Sequence, residues 1–239
     1  MSKNQNSIRT AESVSPGHPD KLCDQISDAI VDAYLAKDPQ ARVAIDVAGG
    51  HGAVFVTGEV SSRVEVSIAK IVRRIAGKNS EVIERVAEQS PEIARGVNAG
   101  GAGDQGIMIG YACNETPELL PLEVVLARRL NQCLYQRWPY DGKTQVSVRG
   151  RDIVAVVASF QYAPHDELKQ AVTDWVRDEA VQYVDRKYFI ETQTERRTNG
   201  IATENNDPIL HINPAGDWQI GGVDADAGLT GRKLAVGNY

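Results

Sequence analysis

The amino-acid sequence predicts an α+β fold built from repeated ββα units. Two observations carry this. A β-rich hairpin followed by an amphipathic helix occurs near residue 43 and again near residue 145, which reads as an internal structural repeat. Such units bury their apolar side only when helices cover a sheet face. Composition agrees: 239 residues with a 42% hydrophobic fraction suffice for one large domain or two small ones.

Taken in order, residues 1–10 carry no apolar period and predict a flexible tail. The stretch Glu12–Lys21, ESVSPGHPDK, then packs turn formers against a helix start. Pro19 suits the first helical position and Asp20 the first turn, where the helix dipole favours an acid. The arrangement puts His18, Asp20 and Lys21 at a helix N-terminus able to face an anion. The same residues also read as a plain helix cap with a surface histidine. Asp20–Lys37 has helical spacing through Leu22, Ile26, Ala29, Ile30 and Ala33, and Asp38-Pro39 stops it. Val43–Val47 and Ala53–Val60 make a hairpin around Gly49–Gly52. Ile68, Ile71, Val72 and Ile75 mark a helix ending before Gly77. Ser80–Glu88 is ambiguous between helix and strand.

The glycines and Pro91 of residues 89–103 predict a mobile loop, and Gly106–Ala112 a buried strand. Leu122–Leu134 has helical spacing. Gln145–Val148 and Ile153–Tyr162 form the second hairpin, and Leu168–Val176 the helix after it. Thr192–Asp207 predicts an exposed loop. Ile209–Ile212 and Trp218–Ile220 flank the turn Asn213–Gly216. The expected organisation is a first repeat region over 11–112 and a second over 113–239.

A net charge of −6 argues against a broad nucleic-acid surface, although local basic clusters can hold a small anion. Cys23, Cys113 and Cys133 are odd in number and unspaced for metal, which suggests reduced thiols in a cytoplasmic protein. No charged-then-apolar leader opens the chain and no apolar run is long enough for a bilayer, so no membrane partner is expected.

Three further stretches bear on chemistry. GAGDQG (Gly101–Gly106) formally fits a dinucleotide pattern, but a loop precedes it and Ile107-Met108-Ile109 follows, the wrong context for that fold. Asp104 there either faces a polar ligand or bonds its own backbone. GLTGRK (Gly228–Lys233) is not a Walker loop. Arg232 and Lys233 beside glycine backbone still suit phosphate oxygens, or form a solvated basic turn. Asp224 and Asp226 beside them suit either a polyphosphate–metal region or a surface salt-bridge cluster. Lys143, in its DGK turn, has the same two readings as Arg232 and Lys233. Trp218 is either core packing or a stacking face for a base. His51 and His165 carry no assigned role.

ESVSPGHPDK, GAGDQG and GLTGRK, in this order, resemble the S-adenosylmethionine synthetase (methionine adenosyltransferase) family, over Thr10 to the end of the chain. The resemblance implies three similar repeats about a pseudo-threefold axis, of which two are present here. It implies joining of ATP and L-methionine, release of triphosphate, and its hydrolysis to phosphate and diphosphate, with Mg2+ required and K+ activating. It implies a homo-oligomer or a partner chain sharing the active site. Position by position, His18 contacts the oxygen leaving C5′ and Asp20 binds Mg2+. Asp46 stands where the family usually has glutamate for K+. Glu59, Gln89, Asp104 and Asp226 meet methionine. Asp141, Lys143, Asp217, Trp218, Asp226, Arg232 and Lys233 meet ATP, with His18, Lys143, Arg232 and Lys233 as the catalytic set. Trp218 stands where the family usually has phenylalanine.

The chain departs from the family pattern in a shorter loop before GAGDQG, in Asp46, and in stopping at Tyr239 before the third repeat, either as a fragment of a longer product or as a naturally short protein. The alternative reading is therefore a catalytically incomplete partner or regulatory subunit of a full-length synthetase. The chemistry suits such a site. A thioether sulfur has no proton to lose, so catalysis rests on in-line orientation and on stabilising the departing charge.

Overall fold

Alternating apolar residues, two tight turns and capped helices arrange themselves around two separate four-stranded sheets. The computed structural model describes residues 7–185 and 207–237. Strands β1 (Ile8–Val14), β5 (Gly142–Arg149), β6 (Asp152–Phe160) and β7 (Ile209–Ile212) form one sheet. Strands β2 (Arg42–Gly50), β3 (Ala53–Ser61), β4 (Glu81–Ala87) and β8 (Gly228–Leu229) form the other. The strand orders are β1-β5-β6-β7 and β4-β3-β2-β8. The chain divides into two compact units accordingly. Unit one holds the residues up to Gly17 and Tyr111–Ile220; unit two holds His18–Gly110 and the residues from Gly221 to Asn238.

The two units share one topology. In unit two, helix α1 (Pro19–Leu35) precedes the antiparallel β2–β3 hairpin, then helix α2 (Ile68–Ala76) crosses to β4, which runs parallel to β3. In unit one, helix α4 (Leu122–Arg137) precedes the β5–β6 hairpin, then helix α5 (His165–Asp178) crosses to β7, parallel to β6. Each hairpin's first strand gains one more antiparallel neighbour, β8 on β2 and β1 on β5. The expected ββα repeat is therefore present, and is longer than expected: αββαβ plus an edge strand.

Periodicity explains the cores. On α1, Cys23, Ile26, Ile30 and Tyr34 are buried against Val47, Val54 and Val56 of the hairpin and Ile68 and Val72 of α2. On α4, Leu122, Leu126, Leu130 and Leu134 recur every fourth residue and meet Val146, Val156 and Phe160 beneath, with Leu168, Val172 and Trp175 of α5. The first hairpin closes through His51 and Gly52, both at positive φ, the conformation that a two-residue hairpin turn of right-handed twist requires.

Several expectations need correcting. Ile8–Thr10 are not part of a tail: they belong to β1, in register with Ser147–Arg149 of β5. That pairing joins residues far apart in sequence, and no local pattern announces it. The segment at 89–103 contains a helix, α3 (Pro91–Asn98), capped by Ser90 Oγ, which accepts the Ile93 N–H at 3.3 Å. Serine at the cap, proline at the first helical position and Glu92 in the first turn are helix-start signals, and here they prevail over the surrounding glycines. The ambiguous stretch at 80–88 is strand β4. Gly106–Ala112 is not a buried strand: it has no regular structure, and Ile107, Met108 and Ile109 are 92%, 91% and 87% exposed. Of the expected loop at Thr192–Asp207, all but Asp207 lies outside the described residues.

Candidate functional site

In unit two, α1 and the Gly228–Lys233 turn build one charged cluster from opposite ends of the sequence. Pro19 opens α1, and His18 caps it: its Nδ1 accepts the Asp20 N–H at 3.2 Å. That bond puts the imidazole's proton on Nε2 in the neutral ring. Both His18 and Asp20 are buried, at 4% and 2% exposure. Strand β8 lies so close to the helix start that a Cβ on Gly228 would sit 2.2 Å from the Pro19 carbonyl oxygen. Only glycine fits there.

This approach lets the turn bond to the helix directly. Asp20 Oδ1 accepts the Leu229 N–H at 2.9 Å, and its Oδ2 accepts the Lys233 ammonium at 2.5 Å. Arg232 stands 3.6 Å from Oδ1 with its side chain 56% exposed. One helical turn on, Asp24 Oδ1 accepts the Gly231 N–H at 3.0 Å. The Thr230 hydroxyl donates to Asp46 Oδ1 at 2.8 Å and accepts from the Val47 N–H at 3.3 Å. Burial pushes the Asp20 carboxyl up, but Lys233, the Leu229 N–H and Arg232 together outweigh it and hold it below the usual carboxylate value. Cys23, fully buried behind this helix face, is pushed up to about 11 by burial, so it stays a thiol and offers no nucleophile.

The remaining candidates of unit two lie apart from these bonds. Asp226 and Asp104 are exposed, and each accepts the backbone N–H of the following residue, at 2.8 and 2.7 Å. Glu59, half-buried on β3, stands opposite Ala44 and Ala87. Gln89 follows β4 and lines a cleft of about 480 Å³ with Arg42, Ser61, Glu88, Ser90 and Asn98. Its Oε1 is buried and, among the described residues, has no hydrogen-bond partner.

In unit one, the end of β6 gathers a second group. The Gln161 N–H donates to the Asp141 carbonyl at 2.9 Å, and Gln161 Nε2 donates to the Gln219 carbonyl at 2.8 Å. The Tyr162 N–H donates to the Trp218 carbonyl at 3.0 Å. Asn213 ties the group from behind: its Oδ1 accepts the Phe160 N–H and its Nδ2 donates to the Ala163 carbonyl and, at 3.4 Å, to Asp217. Trp218 is half-buried, and among the described residues its indole N–H has no partner. Lys143 is exposed on β5, one residue after the close-packed Gly142. A Cβ on Gly17 would lie 2.6 Å from the Tyr140 backbone, so that position accommodates glycine alone.

The structure thus joins His18, Asp20, Arg232 and Lys233, and separately joins Asp141, Asp217 and Trp218. Sequence reasoning missed Asp24, Thr230, Gln161 and Asn213. For Asp24 a signal existed, since it follows Asp20 by four residues on one helix face; the others are placed chiefly by bonds across long sequence separations.

Among the described residues no group of three or more His, Cys, Asp or Glu side chains converges as a metal site would. A single carboxylate with phosphate oxygens and water still suits Mg2+, and Asp20 fits that role once Lys233 moves off Oδ2. No helix among the described residues is long and apolar enough to cross a membrane.

Comparison with known proteins adds a family description. A family model described as S-adenosylmethionine synthetase, N-terminal domain, matches residues 6–91, and one described as S-adenosylmethionine synthetase, central domain, matches residues 99–218. The chain is similar to proteins named S-adenosylmethionine synthase. That of Thermosynechococcus vestitus is 38% identical over 96% of this chain and 64% of the relative. That of Thermus thermophilus is 38% identical over 96% and 65%, and that of a Synechococcus species 41% identical over 96% and 64%. The chain therefore spans just under two thirds of the length of these relatives.

Proposed function

Since the chain belongs to the S-adenosylmethionine synthetase family, we propose that it takes part in forming S-adenosylmethionine from ATP and L-methionine. The observation that carries this is the joining of the HPDK helix start to the GLTGRK turn, across 209 residues, into one cluster of buried acid and paired cations.

The reaction forms a bond between the methionine sulfur and C5′ of ATP and breaks the bond from C5′ to the triphosphate oxygen. Sulfur supplies the electron pair and becomes a sulfonium; the leaving triphosphate takes the electrons of the broken bond. No general base is needed. His18 donates from Nε2 to the departing oxygen, the tautomer its bond with the Asp20 N–H supports. Arg232, by its planar fork, and Lys233, as a point charge, hold phosphate oxygens in unit two; Lys143, on unit one, is a separate phosphate contact. Asp20 holds Mg2+, which when bound neutralises polyphosphate charge. Triphosphate is then hydrolysed to phosphate and diphosphate in the same cluster. Trp218 stacks on the adenine, with Asp141 and Asp217 beside it. Gln89 and Glu59 hold methionine with Asp104 and Asp226; the cleft at Gln89 has a volume in the range of small-ligand sites. Asp46 takes K+. The working form is a homo-oligomer, or a pair with another chain completing the site, in the cytoplasm.

A second reading is a partner or regulatory subunit that completes or tunes a longer synthetase. One assay separates the two: S-adenosylmethionine formation from ATP, methionine, Mg2+ and K+ by residues 1–239 alone, and after adding a full-length relative. Turnover by the chain alone supports the enzyme reading; an effect only on the relative's rate supports the subunit reading. No product and no effect in either arm overturns both.

A further inference from the structure

We propose that Asp24 is a positioning residue, which holds the Gly228–Lys233 turn so that Arg232 and Lys233 stay aimed at a polyphosphate. The inference rests on the reading of those two cations given above and goes beyond it. Among the described residues, the polar partners of Asp24 are Lys21 and the Gly231 N–H, not Arg232 or Lys233.

The turn is fixed to the rest of unit two at successive residues. Leu229 is held by Asp20, Thr230 by Asp46 and by the backbone of Val47, and Gly231 by Asp24. The Asp24 bond is the last anchor before the two cations. Gly231 stands at φ +76°, a left-handed conformation, with open space around it. The surroundings therefore do not hold Gly231 sterically, and the N–H bond to Asp24 fixes the peptide from which Arg232 departs. A carboxylate acceptor makes this bond stronger than a neutral one. The second oxygen of Asp24 accepts the Lys21 ammonium at 3.0 Å, which fixes the carboxylate's own orientation.

Asp20 cannot do the same work throughout a reaction cycle. Its Oδ2 holds Lys233. If Lys233 turns to phosphate, or a cation takes Oδ2, the Asp20 grip on the cationic end of the turn is lost. Asp24 holds Gly231 through Oδ1, while Lys21 takes its other oxygen, so the Gly231 bond persists while Lys233 changes partner. The two acids, one helical turn apart, thus divide the work: Asp20 exchanges partners and Asp24 keeps the turn in register.

The test uses inorganic tripolyphosphate as probe, titrated by calorimetry into residues 1–239 in the presence of Mg2+, with Asp24→Ala and Asp24→Asn alongside. The Gly231 amide is followed by NMR in glycine-labelled protein. Asp24→Ala is expected to weaken tripolyphosphate binding about tenfold and to shift the Gly231 amide, with the melting temperature of unit one unchanged. Asp24→Asn keeps an acceptor oxygen, and is expected to bind within about threefold of wild type with the Gly231 amide near its original position. Rescue by asparagine separates positioning from charge. Should Asp24→Ala fail to fold, Asp24→Ser, too short to reach Gly231, makes the same comparison. Wild-type affinity in the alanine or serine variant, with binding lost in the double variant Arg232→Ala and Lys233→Ala, overturns the role of Asp24 alone. Absent binding by wild type, or binding unaffected in that double variant, overturns the polyphosphate reading and this proposal with it.

Discussion

Replacing Lys233 by methionine tests the charged cluster at its tightest contact. The substitution keeps the stem and removes the ammonium that Asp20 Oδ2 accepts at 2.5 Å. Asp20 is 2% exposed, so its carboxylate has little water to replace that partner. Removing one member of a buried pair costs about 3–5 kcal/mol. Asp20 keeps the Leu229 N–H at 2.9 Å and Arg232 at 3.6 Å, which places the loss at the low end, about 3 kcal/mol, or on the order of a hundredfold in the folding equilibrium. The pH dependence follows from the direction of the shift. In the wild type the Asp20 carboxyl is held below its unfolded value, so its stabilisation is full above about pH 4 and is lost as pH falls through the lower folded value. In the variant burial prevails and the folded value rises, so the buried charge destabilises at neutral pH and protonation relieves it. The deficit is therefore largest near neutrality and closes on acidification. Tryptophan fluorescence does not serve here, because Trp138, Trp175 and Trp218 all belong to unit one. Urea unfolding read by far-UV circular dichroism, with hydrogen exchange of the Leu229 amide, reports unit two. A deficit below about 0.5 kcal/mol at neutral pH, the size of an ordinary surface change, refutes the reasoning. So does a deficit that is equal at both pH values.

Gly228→Ala places a methyl group 2.2 Å from the Pro19 carbonyl, so β8 must move; an overpacking loss of about 1–3 kcal/mol is expected, read as a lower melting temperature together with weaker tripolyphosphate binding. Wild-type values for both would show that the approach is not needed. Trp218, whose indole N–H has no partner among the described residues, is expected to change fluorescence when ATP is added. Trp218→Ala should abolish that change and weaken ATP binding by about 1–3 kcal/mol, the worth of one base–aromatic stack; unchanged affinity would mean that the ring only packs.

Much of the fold was legible because it is written in local period. Ile26 and Ile30 on α1, Leu126, Leu130 and Leu134 on α4, and the alternating valines of the two hairpins each announce one buried face. The α3 helix was legible too, in Ser90-Pro91-Glu92, yet the glycines around it pointed the other way. The pairing of Ile8–Val14 with β5 was not legible, since an edge strand is chosen by a partner more than a hundred residues away. The apolar run Ile107–Ile109 has a strand's composition without a strand's partners, and stands exposed. At the site, HPDK and GLTGRK were each readable as anion-binding chemistry. That Leu229 and Lys233 bond to Asp20 itself, and that Asp24 completes the attachment, depends on the close approach Gly228 permits, which spacing alone does not encode.

The central claim is that the cluster at the α1 start receives the departing triphosphate. Charge develops on the leaving oxygen only in the transition state, so a donor there acts on kcat more than on ATP affinity. The direct measurement is S-adenosylmethionine formation by the assembly that the chain forms with a full-length relative or by itself, comparing wild type with His18→Ala under saturating ATP and methionine. The account predicts a fall in kcat of about 10²–10³, the cost of removing one oxyanion donor, with the ATP KM little changed. A kcat within about twofold of wild type, or a change confined to KM, would contradict it.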